Sequence, residues 1–168
     1  HPRVRRQRQM CIRDSFLHYE ILSPLKRGVY SFASVLVDGQ IYIVGGSTSC
    51  GPFQSNIRST LFWEKYSNMM YRYDIKQDKW ETIRHKFRER AYHTAGYYDG
   101  KIFILGGKRL SETRIVDYLD NAIEIYDIKR DTVWTDYTNP HQATLLGSVV
   151  YKDNMIVLGL SLIHISEP

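Results

Sequence analysis

Five side chains in this sequence are candidates for binding a ligand. Four of them fall in two stretches that mix basic and aromatic residues, and His93 follows one of these stretches closely. Residues 84–90 read Arg-His-Lys-Phe-Arg-Glu-Arg, and residues 47–67 form a long connection with further arginine, tryptophan and tyrosine. Guanidinium groups pair with carboxylates through two parallel hydrogen bonds, and arginine and exposed aromatic rings anchor interfaces. The candidate ligand-binding residues are Arg58, Trp63, Arg88, Arg90 and His93.

A purely structural role is the alternative for each of these residues. Charges on surface loops are commonly solvated, and Trp63 could pack only against its own long loop. Arg90 and His93 could instead satisfy backbone groups at the start of the strand that they precede or open. Both interpretations stay open at the level of the sequence.

The other reactive side chains show no spacing typical of an active site. His85, His93 and His141 are scattered among connections, and Cys50 is the one cysteine outside the amino-terminal leader. A metal site needs several ligands at close spacing, and a disulfide needs a second cysteine. The glycine pairs described below open no helix, so no phosphate-binding loop is predicted. We therefore expect no catalytic residue, no metal and no cofactor.

The net charge of +5 does not indicate a nucleic-acid partner, because of where the charge lies. Residues 1–15 hold five arginines against Asp14, whereas residues 16–160 are close to neutral. A near-neutral body lacks the basic surface that a polyanion requires. No apolar run approaches the ~18 residues of a membrane-spanning helix, so no spanning segment is predicted either.

The elements that must position the candidate residues are copies of one repeat. A hydrophobic strand that ends in paired glycines occurs at Asp38–Gly46 and Asp99–Gly107, and a third copy at Lys152–Leu160 lacks the second glycine. In the first two units a Tyr-Asp pair and a tryptophan follow in the same order, which predicts a repeat protein. The structural landmarks are Gly45, Gly46, Tyr73, Asp74 and Trp80, and then Gly106, Gly107, Tyr126, Asp127 and Trp134. Their tyrosines and tryptophans are expected to pack between blades.

Each unit divides into four short strands, named a to d. The chain is rich in aromatic residues, has Asp-Gly dipeptides typical of hairpins and shows no helical periodicity, which together predict an all-β fold. Strand b is the glycine-paired strand. The other predictions are strand a at 30–37, 92–98 and 145–151, strand c at 69–73 and 122–126, and strand d at 19–22, 79–83 and 133–137.

The order of glycine pair, Tyr-Asp and tryptophan, with Arg90-x-x-His93 at the opening of strand a, resembles the kelch repeat. The resemblance extends over about residues 19–160 and departs from the repeat pattern at Tyr19, Val29 and Leu160. It implies a β-propeller of four-stranded antiparallel blades around a channel. Because closed propellers have about four to eight blades, we expect a partial kelch-type propeller here, with two complete blades, parts of two flanking blades and the remaining blades missing from this chain.

The predicted division of the chain follows the repeats, and its two ends are interpreted as non-native. Residues 1–15 and 161–168 resemble translated sequencing adapters of the kind found in metagenomic assemblies; a basic leader and a genuine short strand are the alternatives. The propeller fragment then covers residues 16–160. Within it we expect the last strand of a preceding blade at 16–24, blades at 25–83 and 84–137, and the first hairpin of the next blade at 138–160.

Function is expected on the face where the long connections emerge. The predicted a–b and c–d turns are tight, whereas the b–c and d–a connections are long, and long loops on a rigid scaffold commonly bind ligands. The kelch resemblance implies a binding module for a protein segment or a carbohydrate, and implies that Arg90 is directed towards the central pocket. The alternative is part of a carbohydrate-active enzyme, similar to galactose oxidases or sialic acid epimerases, whose active site the missing blades complete.

Overall fold

The computed structural model describes residues 20–48, 65–110, 117–139 and 142–160. The first four strands make one antiparallel sheet in chain order. The register is continuous, from Ala33 opposite Val44 at one side to Asp74 opposite Lys79 at the other. This sheet is the first of the four-stranded blades that the sequence predicts. Its strands are β1 (Ala33–Val37), β2 (Gln40–Val44), β3 (Met70–Asp74) and β4 (Lys79–Thr82).

The second sheet repeats this blade and carries an insertion. Its inner strands are β5 (Thr94–Tyr98) and β6 (Lys101–Leu105), and its outer strands are β9 (Ile123–Asp127) and β10 (Thr132–Asp136). Between the two pairs, β7 (Lys108–Leu110) and β8 (Asp117–Leu119) form a separate antiparallel pair, which we name the b–c arm. The sequence predicted only a long connection at this place.

A third hairpin follows the second blade. It consists of β11 (Thr144–Tyr151) and β12 (Asn154–Leu160), with a shift of register between Thr144 and Gly147. The described strands therefore agree with the predicted all-β, partial-propeller fold. Within the described ranges there is no helix long and apolar enough to cross a membrane.

The strand predicted at residues 19–22 is wrong for residues 20–22, which form no strand. Ser23, just after these residues, forms hydrogen bonds with side chains of the first blade instead. Ser23 donates to the carboxylate of Asp78 from its backbone nitrogen at 2.7 Å and from its hydroxyl at 2.8 Å, and Trp80 Nε1 donates to the Ser23 carbonyl at 2.8 Å. The segment thus lies across the outer part of the first blade.

Successive blades are joined by backbone hydrogen bonds just before or at the start of their inner strands. The Tyr92 nitrogen donates to the Ser31 carbonyl at 2.9 Å, and the Leu145 nitrogen donates to the Tyr92 carbonyl at 3.0 Å. All three residues have a positive φ, between 53° and 59°, so the chain makes the same left-handed turn in each repeat. The inner strands β1, β5 and β11 then lie side by side.

The glycine pairs make the second backbone contact between blades. The Gly46 nitrogen donates to the Arg90 carbonyl at 2.8 Å, and the Gly107 nitrogen donates to the Ala143 carbonyl at 2.8 Å. A Cβ on Gly45, whose φ is +64°, would lie 2.7 Å from the Arg90 carbonyl oxygen. A side chain at this position would therefore separate the blades.

The core lies between the first and second blades. Phe87, in the connection that joins these blades, is buried and meets Tyr126 edge-on with the ring centroids 6.0 Å apart. This d–a connection is therefore part of the packed interface and not a free loop. The buried side chains around it include Tyr42, Val44, Met70, Ile102 and Ile104.

The landmark aromatic residues differ in their surroundings. Tyr73 is buried and hydrogen-bonds Asp78, and Tyr126 is buried and donates to Asp131 at 2.9 Å. Trp80 packs on Tyr73 with the ring centroids 4.7 Å apart. Trp134, for which the sequence predicted packing between blades, is exposed on β10.

Candidate binding surface

Arg90 is buried at the start of the second blade, where its side chain is 0% exposed. Its Nη1 donates to the carbonyls of Gly106 at 3.2 Å and Ala122 at 3.1 Å, and its Nη2 donates to Glu124 Oε2 at 2.9 Å. Burial lowers the pKa of the guanidinium, and the Glu124 carboxylate opposes that shift. Arg90 thus ties the connection before β5 to the ends of β6 and β9.

Two carboxylates, Asp120 and Glu124, are buried beside Arg90. Burial raises the pKa of Glu124, although the charge of Arg90 lowers it. For Asp120, burial alone would raise the pKa, but a hydrogen bond from Arg88 and the charge of Arg90 outweigh it, and the pKa lies below its ordinary value. Asp120 is therefore an ionised, buried anchor for the arginines around it.

Arg88 binds Asp120 from the solvent side of this cluster. Its Nε donates to Asp120 Oδ2 at 2.9 Å and its Nη2 donates to Asp120 Oδ1 at 3.2 Å, which is the two-bond geometry of a strong arginine–carboxylate pair. Its Nη1 donates to the Tyr137 hydroxyl at 3.1 Å, and its guanidinium carbon lies 5.6 Å from the centroid of that ring.

The b–c arm adds a second arginine to the same carboxylate. Arg109, on β7, has its Nε 3.7 Å from Asp120 Oδ2 and donates from that nitrogen to the Glu89 carbonyl at 3.3 Å. Its guanidinium carbon lies 5.7 Å from the ring centroid of Tyr118, on β8. The arm is therefore held to the blade by charge at its base.

His93 fills the space between the first two blades. Its Nε2 lies 3.0 Å from the Val44 carbonyl, which can only accept, so we assign the ring hydrogen to Nε2. Burial and the charge of Arg90 lower the pKa of His93 to about 3. The ring is neutral at physiological pH and is buried.

Comparison with known proteins identifies the repeat. The family described as Kelch motif matches residues 29–85. An F-box/kelch-repeat protein of Arabidopsis thaliana is 29% identical over 117 residues, which are 70% of this chain and 36% of that protein. A kelch repeat-containing protein of the same plant is 24% identical over 150 residues, 86% of this chain and 31% of that protein. Residues 29–85 carry the kelch motif, and most of the chain is similar to kelch-repeat proteins.

Structural comparison finds a solved structure with the same fold. The solved structure of YjhT superimposes with a TM-score of 0.60 at 16% identity, over 82% of this chain and 35% of that one. At this identity the similarity shows the fold alone. The chain spans about a third of the length of these kelch-repeat relatives and of that structure.

The kelch repeat places the candidate residues at different depths. Arg90 and His93 satisfy backbone carbonyls at the blade junction, which is the structural role that the sequence left open for them. Arg88 is partly exposed beside the b–c arm. Ligand binding by these three residues stays a prediction. Arg58 and Trp63 lie outside the described residues, as does Cys50.

No metal site accompanies these residues in the ranges that the structure describes, where no group of three or more histidine, cysteine, aspartate and glutamate side chains could hold an ion. The clustered side chains there are arginines on buried carboxylates, with tyrosines beside them. Arginine and tyrosine are side-chain types that anchor interfaces.

Sequence reasoning missed most of this kelch cluster, although a signal for part of it exists. Arg90 and Glu124 correspond to Val29 and Tyr71 of the first repeat, so both members of the ion pair are replaced together. A basic and an acidic residue that are exchanged jointly between repeats indicate a contact. The residues that carried no such signal are Arg109, Tyr118, Asp120 and Tyr137.

Proposed function

We propose that this protein is a binding module that holds a segment of a partner protein on the face formed by its b–c and d–a connections. The observation that supports this most is the b–c arm. It is an insertion in the second blade, and it places Tyr118 at the surface, 43% exposed, beside Arg109.

The arm has two properties of a binding surface. Its tyrosine and arginine belong to the residue types that dominate binding energy at interfaces. Its base is fixed by the Arg109 contacts to Asp120 and to the Glu89 carbonyl, so little conformational entropy is lost when a partner binds. Residues of these types at the surface support a protein segment as the ligand.

The test is a selection of displayed random peptides against the full protein, followed by affinity measurements on the selected peptides. Replacement of Tyr118 by alanine should weaken binding by about tenfold, the loss expected for a moderate interface anchor. The matched control is Tyr98→Ala. Tyr98 is 41% exposed and lies beside the a–b turn on the opposite face, so its replacement should leave affinity within about twofold.

Two results would overturn the proposal. One is that Tyr98→Ala weakens binding while Tyr118→Ala does not, which would move the site to the other face. The other is that no peptide is selected and a glycan array is bound instead, which would make the ligand a carbohydrate.

A further inference from the structure

Two arginines from different parts of the chain meet at one buried oxygen atom. Arg88, from the connection between blades, has its Nε 2.9 Å from Asp120 Oδ2, and Arg109, from the b–c arm, has its Nε 3.7 Å from the same atom. Asp120 is buried, whereas each arginine side chain is 23% exposed. The two guanidinium groups are therefore neighbours at the surface, and the buried Asp120 carboxylate binds both of them.

Each guanidinium also has a tyrosine beside it. Arg88 lies 5.6 Å from the ring centroid of Tyr137, and Arg109 lies 5.7 Å from that of Tyr118. Both tyrosine rings are exposed. Aromatic faces attract cations and fix the planes of the guanidinium groups, so the pair is ordered before any ligand arrives.

The charged groups of the cluster lie at different depths below the surface. The two carboxylates of Asp120 and Glu124 are buried, and the fully buried Arg90 lies against both. The partly exposed charges of the cluster are Arg88 and Arg109, with Lys108 at the base of the arm. Glu89, partly exposed in the same connection, is the acidic residue closest in sequence to the pair. Asp136, which precedes Tyr137, is also partly exposed. Three positive charges thus face two negative ones, which leaves a cationic excess on the described outward side.

The hydrogen-bonding capacity of Arg109 is only partly used. Its Nε donates to the Glu89 carbonyl. Within the part of the chain that the structure describes, its two terminal nitrogens donate to no protein group. Those nitrogens form the flat edge that matches the two oxygens of a carboxylate.

We propose that the Arg88–Arg109 surface binds an acidic peptide segment, with an aspartate or glutamate side chain of the partner accepting hydrogen bonds from Arg109 and attracted by Arg88. This inference rests on the proposed function and gives the chemistry of its partner segment. The exposed rings of Tyr118 and Tyr137 would flank the bound carboxylate and contact the backbone or apolar atoms around it.

Fluorescein-labelled hexaglutamate, with hexaglutamine as the uncharged control, is the probe for this surface. The full protein should bind hexaglutamate and not hexaglutamine, and Arg109→Gln should weaken binding by about tenfold, as expected for loss of a two-bond charged contact. Arg109→Lys keeps the charge and loses the flat edge, so its affinity for hexaglutamate should lie between those of the wild type and of Arg109→Gln. Glu89→Gln should strengthen binding by about twofold, because it removes a repelling charge.

The matched control is Arg130→Gln, which removes the same charge from the c–d turn of the same blade, where the side chain is 79% exposed. If Arg130→Gln weakens hexaglutamate binding as much as Arg109→Gln does, the attraction is general and the proposal is wrong. If the selected peptides depend on Tyr118 but are not acidic and bind Arg109→Gln normally, the proposed function stands and this inference falls. If neither peptides nor hexaglutamate bind, both fall.

Discussion

At the scale of single residues, the least expected environment is that of His93. The equivalent positions of the other repeats are Phe32 and Leu146, so an apolar side chain is compatible with this place in the fold. The imidazole is buried, its Nε2 donates to the Val44 carbonyl, and its Nδ1 has no partner among the described residues. Its lowered pKa follows from that burial and from Arg90.

We predict that His93 makes the protein sensitive to mild acid. The pKa is about 3 in the folded protein and 6.5 ordinarily, so unfolding takes up a proton below pH 6.5. The stabilisation is complete above that pH and decreases as the pH falls towards 3, by up to about 1.4 kcal/mol per pH unit. The loss of free energy of unfolding is measured by urea unfolding at about pH 7 and about pH 5. The wild type is compared with His93→Leu.

Between these two pH values the free energy of unfolding of the leucine variant should fall by about 1 to 2 kcal/mol less than that of the wild type. The reason is that leucine has no proton to take up when the chain unfolds. An equal acid-induced loss in both proteins would show that His93 is not the group responsible.

At the scale of elements, the junction between β2 and the loop that follows it is the most constrained part of the repeat. A Cβ on Gly45 would approach both the Arg90 carbonyl oxygen and His93 Cε1 to 2.7 Å, and those atoms belong to the next blade. The glycine pair is therefore an element of blade contact as well as the end of a strand.

We predict that Gly45→Ala destabilises the protein by about 2 kcal/mol or more, since a left-handed conformation costs a residue with a Cβ about 1 kcal/mol and the contact with backbone atoms adds to it. The free energy of unfolding in urea measures the loss. Gly28→Ala is the matched control, because nothing lies within 4 Å of a Cβ at that position. A loss of less than about 0.5 kcal/mol at Gly45 would contradict the contact.

At the scale of the whole molecule, equivalent positions become more exposed along the chain. Val44, at the end of β2, is 2% exposed, and Leu158, its equivalent in β12, is 71% exposed. Tyr42 and Ile156 show the same trend. The second blade covers the first, and no described segment covers the outer side of the third hairpin in the same way.

We predict that copies of this chain associate through the uncovered hairpin, because exposed apolar strand faces favour association. Leu158→Lys should lower the mean mass measured by light scattering at a given concentration. Thr132→Lys, which places the same charge on an exposed position of β10, should leave the mass unchanged. A wild-type chain that stays monomeric as its concentration is raised would contradict the prediction.

The repeat itself could be predicted from the sequence because its signals are local. Asp-Gly turns and hydrophobic strands that end in glycine pairs fix hairpins over a few residues. Apart from the strand predicted at 19–22, the predicted strands lie within about three residues of the observed bounds. The b–c arm carried no such signal. Its strands have three residues each and mix charged and apolar side chains, which is typical of a loop.

The charged cluster could not be predicted because it joins three distant segments. Asp120 pairs with Arg88, which lies 32 residues earlier in the sequence, and with Arg109 of the b–c arm. An arginine in a basic stretch is also expected at the surface, so the burial of Arg90 contradicts its local context. Only a comparison between repeats points to its partner.

The backbone bonds between blades have a consequence for how much the repeats can diverge. The bonds between blades run from the main-chain nitrogens of Gly46, Tyr92, Gly107 and Leu145 to main-chain oxygens. These contacts therefore do not depend on the identity of most side chains. A blade of another sequence, with a longer insertion or without the arginine cluster, can occupy the same place provided that it keeps the glycines. Such a molecule is modular, and new binding surfaces can be exchanged one blade at a time.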